Sequence, residues 1–99
     1  MSKYKIAVVG FGNVGREVFN AIEESPDMET AGIVIRNPQK MQAVKRIVGD
    51  VPVTTDVREL GKVDVAILSI ASRSVPEVAP KFLELGINTV DSFDIHGDE

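Results

Sequence analysis

The chain has 99 residues, 43% of them hydrophobic and 26% charged, with a formal net charge of −4 and no cysteine. That profile fits one small soluble globular domain and excludes a two-domain architecture, a disulfide framework and thiolate zinc sites. A pI near 4.9, a single histidine and 5% aromatic residues argue against a nucleic-acid surface, a base-stacking platform or a metal site.

The first predicted element is a strand over Lys3 to Val9, where Ile6-Ala7-Val8-Val9 forms a continuous apolar run. Such a run suits a strand covered on both faces, as in a parallel sheet. Asn13 to Glu24 has helical periodicity, with Val14, Val18, Ala21 and Ile22 on one face and Pro26 as the stop. Thr30 to Ile35 is the second strand. Asn37-Pro38 then opens a second helix as N-cap and first helical residue. Its buried stripe is Met41, Val44, Ile47 and Val48, and Gly49 ends it. A short third strand covers Val51 to Thr55, and Pro52 gives it an edge position. Asp56 to Glu59 reads as a capping box for a single turn.

Val63 to Ile70 gives the fourth strand. Ser74 to Glu77 again resembles a capping box, leading a helix to Leu85 with Val78, Ala79, Phe82 and Leu83 inward and Gly86 as its end. Pro80 implies either an irregular first turn or a regular helix that begins near it. Ile87 to Phe93 is the fifth strand. The alternation predicts an α/β fold, a Rossmann-like doubly wound parallel sheet of about five strands in the order 3-2-1-4-5, filling residues 1–99. The longest apolar run, Val63 to Ala71, is interrupted by Asp64 and Ser69, far short of a membrane span. With only Ile6 to Val9 after Lys3 and Lys5, the N-terminus does not read as a signal peptide, so the expected location is cytoplasmic.

The sharpest signal is Gly10-Phe11-Gly12-Asn13-Val14-Gly15, a GxGxxG pattern that follows a predicted strand and opens a predicted helix. Gly10 permits the tight turn, Gly12 lets a pyrophosphate approach the backbone, and Gly15 lets helix and strand pack closely. The helix start, at Asn13 and Val14, offers free N–H groups to phosphate oxygens. An acid that binds a ribose 2′-hydroxyl is expected at the end of the second strand. Here that place holds Ile35-Arg36-Asn37, and no Asp or Glu occurs between Thr30 and Gly49. Arg36 is placed to pair with a 2′-phosphate, which points to NADP rather than NAD. Lys45 and Arg46 read as the solvated face of the second helix.

Two further segments fall on the same sheet edge. After the fourth strand, Ser69, Ala71 and Ser72 are small enough for close approach of a dinucleotide. Arg73 reads as solvent-facing, and Ser74 reads equally as an N-cap. After the fifth strand, Asp91-Ser92-Phe93-Asp94 offers a carboxylate for a substrate ammonium, or simply a polar strand end. His96 reads as a surface residue.

Lys5 to Arg16 closely resembles the opening of the meso-diaminopimelate dehydrogenase family. The resemblance extends through Pro26-Asp27-Met28-Glu29, Pro76-Glu77, Ala79-Pro80 and Asn88 to Asp94 with His96. It implies an NADP-dependent oxidoreductase of lysine biosynthesis, in which a D-amino-acid centre is oxidised and the imine hydrolysed to a keto product and ammonia. Arg36 then matches the first of two arginines that grip the 2′-phosphate, and Asp94 a substrate-binding aspartate. Asn37 replaces the second arginine, which implies a weaker NADP preference while keeping the position in the cofactor site. The family loop Gly-Ser-Ala-Thr-Asp is replaced by Ile70 to Ser74. Family members are much longer, so the resemblance makes this chain the N-terminal part of an enzyme. Its parent would be a homodimer acting on a small amino acid, with no membrane or nucleic-acid partner. The catalytic residues are expected beyond Glu99. A stand-alone dinucleotide-binding or sensing module, or another Gfo/Idh/MocA-type oxidoreductase, would use the same glycine loop.

Overall fold

Parallel strands need crossover connections, and the alternating sequence supplies them. A computed structural model describes residues 3–70 and 75–91. Its strands are β1 (Tyr4–Val9), β2 (Met28–Val34), β3 (Val53–Thr54), β4 (Val65–Leu68) and β5 (Asn88–Asp91). They form one sheet in the order β3-β2-β1-β4-β5, with every neighbouring pair parallel. The predicted order is therefore the observed one. β3 is shorter than expected and lies on the edge, where Pro52 has no ladder N–H to give but its carbonyl accepts from the Ile33 N–H at 2.8 Å.

Strand alternation sends successive side chains to opposite faces. Ile6, Val8, Ile33 and Ile35 pack with Phe19 and Ile22 of α1 (Asn13–Glu23) and with Val44 and Val48 of α2 (Met41–Val48). Ala7, Val9, Val34 and Leu68 pack on the other face, with Val57 of the 3₁₀ turn Val57–Leu60 and with Phe82 of α3 (Val75–Glu84). The sheet is thus covered on both sides, which is why β1 reads as an unbroken apolar run. Val8, Ile22, Ile33 and Leu68 are its most completely buried large side chains, each worth about 1.5–3 kcal/mol of burial.

The predicted inward faces hold in part: Ile22, Val44, Val48 and Phe82 are buried, and Val78 and Ala79 pack against the core. In α1 the buried residues are Gly15, Phe19 and Ile22, while Val14 and Val18 are half-buried and Ala21 is exposed. Gly15 sits against the turn at Gly10, on the same buried face as Phe19 and Ile22. In α2, Val44 and Val48 face the sheet one turn apart, and this leaves Ile47 46% exposed. In α3, Phe82 takes the inward position and Leu83 is 57% exposed. α3 begins at Val75 with Pro80 inside it, so neither predicted accommodation of the proline is used. The missing N–H leaves the carbonyl of residue 76 without its usual helical donor. Asn37 caps the 3₁₀ turn Pro38–Lys40 by accepting from the Gln39 N–H at 2.9 Å, and Gly49 ends α2 at φ +72°. The predicted cap at Ser74 lies outside the described residues.

Candidate dinucleotide site

Because every strand runs the same way, the strand ends after Val9, Val34, Thr54, Leu68 and Asp91 share one edge of the sheet. Ligands of open α/β sheets bind at that edge. A groove of about 860 Å³ opens there, lined by Gly10, Phe11 and Gly12 after β1, by Arg36, Asn37 and Lys40 after β2, and by Asp56 and Arg58 after β3. Ile70, Val78 and Phe82 close its β4–α3 side.

The glycine turn is built by contacts that leave no room for side chains. Gly10 has φ +88°, and a Cβ there would meet the Ser69 carbonyl at 2.7 Å and Ile70 Cγ2 at 2.9 Å. A Cβ on Gly15 would run into the Gly10 carbonyl and lie 2.9 Å from the Ser69 hydroxyl. Gly12 is different, because nothing lies within 4 Å of its Cβ position. The fold needs Gly10 and Gly15 for its own packing, whereas the bareness of Gly12 keeps the space in front of α1 open. Phe11 packs edge-on against Phe19, with ring centroids 6.1 Å apart, and ties the loop to the helix.

Ser69 locks this turn from beneath. Its hydroxyl lies 2.8 Å from both the Val9 and Gly10 carbonyls, and its N–H donates to the Val9 carbonyl at 2.8 Å. Gly10 N–H in turn donates to the Val34 carbonyl at 2.7 Å. The end of β1 is therefore held by β2 on one side and β4 on the other. The Ser69 side chain is turned toward the backbone, so its part in the site is to shape the turn.

No side chain caps the start of α1, whose N-cap is Gly12 itself. The leading N–H groups, at Asn13, Val14 and Gly15, have no carbonyl one turn earlier to bond. An uncapped helix start with open space over Gly12 fits the pyrophosphate of a dinucleotide, which needs donors and close approach.

Charge separates along the groove. Among the described residues, Arg36 and Lys40 have no ion-pair partner, and both are exposed. Arg58 lies two residues after Asp56 and grips it with Nη2–Oδ2 at 2.7 Å and Nε–Oδ1 at 3.0 Å. The Arg58 side chain, and then its backbone N–H at 3.0 Å, hold the Asp56 carboxyl down at about 2, while Asp56 raises the Arg58 guanidinium. The expected capping box at Asp56 is half formed. Asp56 caps the turn, but its own N–H donates to Thr54 Oγ1 at 3.1 Å, and Glu59 accepts from the Thr54 hydroxyl.

Of the residues singled out from sequence, Gly10, Gly12, Arg36 and Asn37 line the groove; Asn13, Val14 and Gly15 open α1 and Ser69 backs the Gly10 turn, without lining the groove. Ala71, Ser72 and Asp94 lie outside the described residues. Asp56 and Arg58 were missed as groove residues. The available signal was their position just past the third strand, on the shared edge. Among the described residues, no cluster of three or more His, Cys, Asp or Glu is arranged to hold a metal, and no helix is long and apolar enough to cross a membrane.

Comparison with known proteins agrees with this geometry. A family model described as an oxidoreductase family with an NAD-binding Rossmann fold, GFO_IDH_MocA, matches residues 4–90. A meso-diaminopimelate D-dehydrogenase of Bacteroides fragilis is 47% identical over 96 residues, covering 97% of this chain and 31% of its own length. The Corynebacterium glutamicum diaminopimelate dehydrogenase, solved in complex with diaminopimelate, superposes with a TM-score of 0.72 at 36% identity, over 99% of this chain and 29% of that one. An engineered D-amino acid dehydrogenase bound to NADP⁺ gives 0.70 at 36% identity, over 98% and 29%. The chain spans about three-tenths of the length of these relatives.

Proposed function

The chain belongs to the Gfo/Idh/MocA oxidoreductase family with its NAD-binding Rossmann fold, and from that premise we propose that it is the NADP-binding, N-terminal part of an amino-acid dehydrogenase resembling meso-diaminopimelate dehydrogenase. The observation that carries the cofactor choice is Arg36. It stands at the end of β2, in the groove, where an NAD site keeps a carboxylate for the ribose.

The roles follow from the residues. The N–H groups of Asn13, Val14 and Gly15 receive the pyrophosphate at the positive end of α1. Gly12 keeps side chains out of the way. Ser69 holds the Gly10 turn in shape, and Ala71 and Ser72, the small residues that follow in sequence, are assigned to close approach of the dinucleotide. Arg36 pairs with the 2′-phosphate through its planar fork, and Asn37 offers a neutral contact beside it. Asp94 takes the ammonium of a small amino-acid substrate, as the resemblance implies. The dinucleotide, when bound, supplies a hydride acceptor for oxidative deamination of a D-centre. The acid and base of that chemistry belong to the longer parent enzyme, a cytoplasmic homodimer of lysine biosynthesis on this reading. Similarity to curated dehydrogenases, one of them 47% identical, supports it.

Calorimetric titration of the chain with NADPH, and separately with NADH, tests the proposal. NADPH should bind more tightly. Arg36→Ala should weaken NADPH by about tenfold or more, the worth of one charge-assisted pair, with NADH little changed. Binding of neither dinucleotide, or an equal loss for both in the variant, would overturn it.

A further inference from the structure

Among the described residues, the acids in the groove lining are Asp56, just past β3, and Glu84 on α3. Asp56 lines the same groove as Arg36, Asn37 and Lys40, at the end of the strand that pairs with β2. A free carboxylate at that place would accept hydroxyls from an unphosphorylated ribose and repel a phosphate. It is not free. Oδ1 accepts from the Arg58 N–H and Nε, both at 3.0 Å, and Oδ2 accepts from Nη2 at 2.7 Å. The pair is open to solvent, with the two side chains 71% and 37% exposed for Arg58 and Asp56.

We propose that Arg58, clamped on Asp56 at the end of β3, is a specificity-determining residue: it masks that carboxylate and tilts the groove toward a 2′-phosphorylated dinucleotide. The inference rests on the dinucleotide reading given above. Masked, Asp56 adds no net negative charge, so Arg36 and Lys40 set the sign of that end. Nη1 takes no part in the clamp and leaves part of the guanidinium fork available to a phosphate oxygen. This compensates for Asn37, whose amide is neutral and whose carbonyl is already used on the Gln39 N–H. Selectivity is thereby shared between the end of β2 and the end of β3.

The test is calorimetric titration of the wild-type chain, Arg58→Ala and Asp56→Asn, each with NADPH and NADH, reading the ratio of the two Kd values within each protein. Arg58→Ala removes a cation and uncovers Asp56, so preference for NADPH should fall by about tenfold. Asp56→Asn keeps a capping oxygen but releases the Arg58 charge, so preference should rise by about threefold. A ratio measured within one protein is insensitive to the folded fraction, and misfolding cannot move two variants in opposite directions. If the wild-type chain binds neither dinucleotide, the dinucleotide reading falls and takes this inference with it. If the wild-type chain binds and both ratios stay at the wild-type value, the reading stands and the role of Arg58 is overturned.

Discussion

Gly15 sits directly against the Gly10 carbonyl, so closely that a Cβ on Gly15 would collide with that oxygen. Two glycines of one motif therefore depend on each other through backbone packing. Gly12, between them in sequence, touches nothing at its Cβ position and has no positive φ. Gly15→Ala should unfold the turn or displace α1, costing about 1–3 kcal/mol as an overpacking change. Gly12→Ala should leave the urea midpoint nearly unchanged and weaken dinucleotide binding by about tenfold or more, because its methyl enters the space a pyrophosphate needs. Paired denaturation and titration of the two variants would check this. Equal loss of stability in both would show that Gly12 is structural too.

Ser69 connects β4 to the glycine turn through carbonyls on Val9 and Gly10. In Ser69→Ala the Val9 carbonyl keeps the Ser69 N–H, but the Gly10 carbonyl loses its hydroxyl donor. The expected cost is about 1 kcal/mol, that of one hydrogen bond left unmade. Dinucleotide affinity should fall with it, since the turn loses its support. A chemical-denaturation midpoint equal to wild type would show that the hydroxyl only fills space.

Core positions separate what periodicity reveals from what packing decides. Ile22 was legible on the α1 stripe and is 1% exposed, so Ile22→Ala should cost about 2–5 kcal/mol in urea denaturation. Ile47 was also expected in a stripe, yet it is 46% exposed, and Ile47→Ala should stay within about 0.5 kcal/mol of wild type. A loss in the Ile47 variant matching that of Ile22 would mean that α2 buries a wider face.

The contrast shows why some of this molecule was readable in its sequence. The strand order and the glycine turn were legible because apolar runs and GxGxxG are local patterns with few structural solutions. The place of Arg36 in the groove was legible because it comes just past the second strand. The faces of α1 and α3 were legible in part: Ile22 and Phe82 are buried and Val18, Val78 and Ala79 pack against the core, but Ala21 and Leu83 are exposed, since a three-four spacing leaves a helix free to rotate until tertiary contacts fix it. In α1 the close approach of Gly15 to Gly10 and the burial of Phe19 fall on one face, and Ala21 lies off it. Asp56 and Arg58 read locally as a cap. Their place in the groove follows only once β3 lies beside β2 and brings its end to the groove that Arg36 also lines.

The Asp56–Arg58 clamp also predicts an acid response. The folded chain holds the Asp56 carboxyl at about 2, below its ordinary 3.8, chiefly through the Arg58 guanidinium. A depressed carboxyl stabilises the fold above the unfolded value and loses that contribution as the folded group protonates. The contribution of Asp56 should therefore be complete above roughly pH 4 and fade as pH falls toward 2. The pair is exposed, so the effect should be small and should shrink with added salt. Urea midpoints measured across this window in wild type and Asp56→Asn would test it. The variant keeps the cap without a titrating group, so its midpoint should fall less steeply with acid than the wild type's. Parallel curves would mean that Arg58 grips Asp56 equally well in the unfolded chain, as two residues so close in sequence could do.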